Sequence, residues 1–250
     1  MLPSRRLLIL GGTGEARALA DALADRPDLE VTTSLAGRTV EPRRPRGNIR
    51  VGGFGGVKGL VEYIETSGVD MVIDATHPYA TAISTHAIDA CRVAARPLLR
   101  FERPAWQPQK GDRWIVVDSL AAAAKAAPEI GHRAFLTIGV KELAAFAEVE
   151  EIWFLVRLVE QPRDTLPLRN FELILGRGPF ALGGERELMG RHQIDLVIAK
   201  NSGGEATYGK IAAARDLGLP VLLLRRPSLP PAETAASMAT ALAWIDKKSA

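Results

Sequence analysis

The stretch Leu7-Leu8-Ile9-Leu10-Gly11-Gly12-Thr13-Gly14-Glu15-Ala16-Arg17 decides the fold. Apolar residues run straight into a cluster of glycines, and Glu15, Ala16, Ala18, Leu19 and Ala20 then favour a helix. The pattern reads as a buried parallel strand, a tight turn and a helix start. Glycines at such a turn let backbone N–H groups approach a phosphate that any side chain would hold away. The helix N-terminus adds the positive end of its dipole. Gly12 and Gly14 meet the first half of the G-x-G-x-x-G fingerprint, but its third glycine position is Arg17. A nucleotide loop and a bare strand-to-helix turn therefore both remain open at this point.

Working outward, the alternation of strand-like and helix-like segments continues. Glu30–Ser34 reads as a second strand, Ile49–Val51 as a short one, and Met71–Ala75 and Pro97–Phe101 as two more. Helical spacing lies between them at Glu15–Ala24, Leu60–Thr66 and Thr81–Ala95, and Glu41–Arg46 reads as an exposed loop. Pro104, Trp106 and Pro108 interrupt the pattern. Trp114–Val117 is a further strand candidate, followed by an alanine-rich helix over Ser119–Ala127 and a linker from Pro128 to Arg133. Alternation restarts at Ala134–Ile138, Trp153–Val159, Leu173–Leu175, Leu196–Ala199 and Val221–Leu224, and Thr234–Ile245 reads as a closing helix. The expected architecture is α/β: two Rossmann-like, doubly wound parallel-sheet domains, residues 1–131 and 132–250, with the active site in a cleft between them.

Composition narrows the function. At 250 residues, 47% apolar and 24% charged, the chain can bury a sizeable core and has ordinary globular composition. No run approaches the ~18 apolar residues of a membrane helix, and the N-terminus enters its strand at once, so neither a membrane span nor a signal peptide is expected. The single cysteine, Cys91, excludes internal disulfides and suits a reducing cytoplasm. Net charge is +3 with arginine prevailing, yet no basic block interleaves with aromatics, which argues against nucleic-acid binding. His77, His86, His132 and His192 form no compact ligand pair, so no metal is expected. Neither a G-x-S-x-G elbow nor a Walker A sequence is present, which weakens hydrolase and phosphoryl-transfer readings.

Three strand ends then carry the candidate chemistry. About 20 residues after the glycine turn, an NAD site usually places Asp or Glu against the ribose hydroxyls. Here the second strand ends Thr32-Thr33-Ser34, and Ser34 with Arg38 offers a hydroxyl and a guanidinium fork that suit the 2′-phosphate of NADP. Met71–Ala75 runs into Thr76-His77-Pro78-Tyr79, where ligands gather in open parallel sheets. His77 is a candidate general acid, a cofactor contact, or a turn residue. Leu196–Ala199 leads into Lys200-Asn201-Ser202-Gly203-Gly204, a candidate anion site in which Lys200 would face the cleft. Ile138-Gly139-Val140-Lys141 is a weaker candidate of the same kind.

Taken together, Gly11 to Arg17, Ser34-Leu35-Ala36-Gly37-Arg38, Asp74 to Ala80 and Lys200 to Gly204 resemble the precorrin-6A reductases of corrin-ring synthesis. The motifs fall in the same order and span both halves. The resemblance implies NADPH as cofactor and precorrin-6A, a polycarboxylate tetrapyrrole, as substrate, reduced to precorrin-6B. It implies cofactor contacts at Gly11, Gly12, Thr13, Gly14, Glu15, Ala16, Ser34, Arg38, Thr76, His77, Pro78 and Tyr79. Substrate or cofactor contacts are implied at Lys200, Asn201, Ser202 and Gly203, with His77 and Lys200 as catalytic candidates.

Two alternatives accompany that expectation: a cobalt-precorrin-6A reductase, and a non-catalytic NADP-sensing module. A short-chain dehydrogenase is disfavoured, because none of Tyr63, Tyr79 and Tyr208 is followed by a lysine at Tyr-x-x-x-Lys spacing.

Overall fold

The computed structural model describes residues 4–37 and 44–249. These form two compact units: residues 1–104 with 227–250, and residues 105–226. In the first, strands β1 (Arg5–Leu10), β2 (Leu29–Leu35), β3 (Asn48–Val51), β4 (Met71–Asp74) and β5 (Leu98–Phe101) alternate with helices α1 (Gly14–Leu23), α2 (Val57–Thr66) and α3 (Thr81–Val93). In the second, β6 (Arg113–Val117) and α4 (Leu120–Ala126) precede β7 (Arg133–Thr137), β8 (Trp153–Leu158) and β9 (Phe171–Leu175). Then come α5 (Leu182–Arg191), β10 (Leu196–Lys200), α6 (Gly209–Asp216) and β11 (Pro220–Leu224). The chain ends with β12 (Glu233–Ala235) and α7 (Met238–Ser249), which return to the first unit.

Both sheets have six strands, in the orders β12-β5-β4-β1-β2-β3 and β6-β11-β10-β7-β8-β9, with every pairing parallel. Read from the other edge, the first is the doubly wound order 3-2-1-4-5-6, and the second matches it except that its sixth place is filled by β6, which precedes the other five in the chain. The sixth strands are exchanged along the chain: β6 follows five strands of the first sheet but pairs with β11, while β12 follows the second sheet but pairs with β5. A parallel sheet covered on both faces explains the unbroken apolar runs. In β1, Leu7 and Ile9 pack with α1 and α7, whereas Leu8 and Leu10 pack with α2 and α3. In β10, Leu196 and Ile198 serve one face and Val197 and Ala199 the other.

The structure departs from the sequence reading in a few places. The units do not divide at 131/132: residues 105–131, with β6 and α4, belong to the second unit, and the C-terminal 24 residues belong to the first. The expected helix over Thr234–Ile245 is instead a short strand followed by a helix that begins at Met238. The expected linker includes a turn of 3-10 helix, Ala127–Glu129. The first half of the expected loop at Glu41–Arg46, and Arg38 with it, lies outside the described residues.

Candidate active site

The first sheet reverses its connections between β1 and β4: α1 covers one face and α3 the other. A crevice opens at the carboxyl ends of the strands at such a point. The glycine turn stands there. Gly12 has φ +113°, a conformation that excludes most side chains, and a Cβ at Gly12 or Gly14 would meet nothing within 4 Å. Gly11 has a different reason to be glycine, since a Cβ there would lie 2.9 Å from the Thr33 side chain. Thr13 caps α1: its Oγ1 accepts from the Ala16 N–H at 3.1 Å and donates to the Ala75 carbonyl at 2.7 Å, tying β1 to β4 across the reversal. Such a cap stabilises a helix by about 1 kcal/mol. The open side of the turn therefore offers backbone N–H groups and a helix N-terminus to an anion.

The β4 segment is ordered by its own side chains. Buried Asp74 accepts from the Thr76 N–H at 3.1 Å and from Thr76 Oγ1 at 2.6 Å. His77 Nδ1 accepts from the Tyr79 N–H at 3.3 Å, which puts the neutral ring's proton on Nε2. The His77 and Tyr79 rings lie 5.7 Å apart. Thr13, Thr76 and Pro78 line one small depression together with Phe101, Glu102 and Arg103 from the end of β5.

Ser34 is buried at the end of β2, and among the described residues no acidic side chain follows it there. Its neighbour in register is Arg50 on β3, whose Nη1 donates to Ser34 Oγ at 3.2 Å and to the Gly52 carbonyl at 2.6 Å. The guanidinium lies 3.8 Å from the centre of the Phe54 ring. Arg50 escaped the sequence reading because it sits in a weak four-residue strand; the glycine pair after it was the only hint.

In the second unit, Lys200 ends β10 and bonds through Nζ to Glu142 Oε1, while Glu142 Oε2 accepts from the Gly139 N–H at 2.7 Å. Lys200 and the Ile138–Lys141 turn are thus brought together. Asn201 turns the other way: Oδ1 accepts from the Trp106 N–H at 2.8 Å and Nδ2 donates to the Trp106 carbonyl at 3.1 Å. The Trp106 indole N–H donates to the Gly204 carbonyl at 2.9 Å. Arg226 donates to the carbonyls of Asn201 and Ser202 at 2.8 and 2.9 Å. Ser202 is buried, its Oγ 3.5 Å from Thr207 Oγ1, and Gly203 has φ +67°. Asn201 is therefore engaged in fastening the loop, and Trp106, which had read as a break in the pattern, is its anchor.

Among the described residues, no group of three or more His, Cys, Asp or Glu side chains could hold a metal ion, and no helix is long and apolar enough to cross a membrane. Cys91 is buried, and burial, helped by the Asp74 charge, pushes its thiol up to about 12.

Comparison with known proteins places this architecture. The chain is 50% identical over 241 residues to the precorrin-6A reductase of Rhodococcus erythropolis, covering 96% of this chain and 97% of that protein. It is 30% identical over 234 residues to the cobalt-precorrin-6A reductase of Priestia megaterium, covering 89% and 91%. A solved structure of the precorrin-6A reductase CobK superposes with a TM-score of 0.94 at 44% identity, covering 98% of both chains. The family model of precorrin-6x reductase CbiJ/CobK matches residues 6–246, and the chain belongs to that family.

Proposed function

We propose that the protein reduces precorrin-6A to precorrin-6B with NADPH. The open glycine turn at the first sheet's switch point carries the cofactor reading, and near-full-length similarity to precorrin-6A reductases carries the substrate. NADPH supplies a hydride, and the protein's part is to bind, orient and protonate. The Gly12–Ala16 turn holds the phosphates against the N-terminus of α1. The absence of an acid beside Ser34 favours the 2′-phosphate over a free ribose hydroxyl, and Arg38 supplies a guanidinium for it. His77 is positioned by the turn that Asp74 and Thr76 stabilise, and it is the candidate proton donor through Nε2 of its imidazolium form, in which a proton on Nδ1 replaces the contact from the Tyr79 N–H. Lys200, held by Glu142, is the cation assigned to a substrate carboxylate.

The metal-free ring is favoured over the cobalt-bearing one because similarity is greater to relatives named for the former, 50% against 30%. The deciding experiment mixes the protein anaerobically with NADPH and precorrin-6A and follows the dihydronicotinamide absorbance and the pigment spectrum together. Stoichiometric loss of NADPH with a spectral change is expected. Turnover of only the cobalt-bearing ring would move the assignment to that substrate. NADPH binding without consumption of either ring would return the protein to an NADP-sensing role.

A further inference from the structure

The glycine turn contains an electrostatic contradiction. Glu15 lies in the first turn of α1, where its carboxylate competes with the phosphates that the same helix end is proposed to hold. Arg103, two residues beyond the end of β5, donates through Nη1 to Glu15 Oε2 at 2.7 Å. The side chains of Arg103 and Glu15 are 17% and 33% exposed, so solvent screens the pair only in part. Both residues line an open depression of about 370 Å³, with Gly14 and Ala18 on one side and Phe101, Ser237 and Met238 on the other. Arg100 beside it is paired with Glu102. These four side chains together carry no net charge, and removing Arg103 alone would leave one negative charge at the helix end.

We infer that Arg103 is a positioning residue for the cofactor phosphates, acting through Glu15 by neutralising its carboxylate at the N-terminus of α1. The inference rests on the NADPH reading above. It assigns a binding role to a strand-end arginine far from the glycine turn in sequence. The pair is also a wall of the depression, so the neutralised carboxylate and the site's shape are set together.

The test is NADPH titration of the full chain by fluorescence. R103M should weaken binding about tenfold, the scale of one partly screened charge near a phosphate. The double variant E15Q/R103M should return to within about threefold of the unaltered protein, because the repelling charge is gone. R103K should also stay within about threefold, since it keeps the charge. Unchanged affinity in R103M would overturn the inference, as would a double variant as weak as R103M. Should R103M fail to fold, R103K decides: near-normal affinity supports neutralisation, and a tenfold loss overturns it. Absence of NADPH binding by the unaltered protein would instead overturn the cofactor reading, a result seen before any variant is made.

Discussion

The two sheets share one strand order and use the same place in it differently. In the first, the turn after the leading strand is glycine-rich and open, and Thr13 ties it to β4 from beneath. In the second, the leading strand β7 runs into a 3-10 helix, Val140–Phe146, rather than an α-helix. Glu142 folds back onto the Gly139 N–H, and Lys200 reaches it from β10, so the protein's own ion pair spans the reversal. Strand order makes the crevice. The residues immediately after the strand decide whether it is open to an anion or bridged by a side chain.

That contrast can be broken most sharply at Trp106. Trp106→Ala should destabilise the second unit by about 3–5 kcal/mol, from lost burial of the indole and the loop it anchors, read by calorimetry as a lowered transition. An unchanged transition would refute its anchoring role. Next, Gly14→Val should fold, since its Cβ enters open space, yet lose NADPH affinity roughly a hundredfold by filling the anion's place. Gly139→Ala, whose Cβ lies 3.0 Å from Glu142 Oε2, should leave NADPH affinity unchanged. Equal losses in both would erase the proposed distinction between the turns.

A smaller effect is expected at Lys200→Met: KM for the tetrapyrrole rises about tenfold, as for one lost charge-assisted contact, while NADPH affinity stays constant. The reverse pattern would move Lys200 to the cofactor. The smallest effect concerns Cys91. Its thiol, raised to about 12, should resist iodoacetamide at pH 8 in the folded protein and react readily in urea. The unfolded thiol ionises first, so this group withdraws stability as pH rises from about 9 toward about 12.

Much of this was legible in the residues. The run Leu7–Leu10 and the glycines after it predicted a doubly wound first sheet because a two-sided buried strand must be apolar at every position. Gly12 and Gly14 were legible as a tight, open turn because a left-handed backbone and space free of side chains have a compositional signature. The pairings of Arg50 with Ser34 and of Arg103 with Glu15 were not legible. An arginine's partner is set by register and by strand order, and neither has a local signature. Asn201 was read as a ligand from its neighbours, whereas its amide clamps the Trp106 backbone from 95 residues away.

The sequence by itself determined the two parallel-sheet units, the glycine turn and the strand ends that follow it, because these follow from periodicity and backbone sterics along short stretches. Only the tertiary structure decided that β6 and β12 exchange sheets, that Glu142 holds Lys200, and that Arg103 meets Glu15. Each of these is a choice among partners of similar local propensity. That choice is made by which strand edges and charges the completed sheets leave unpaired.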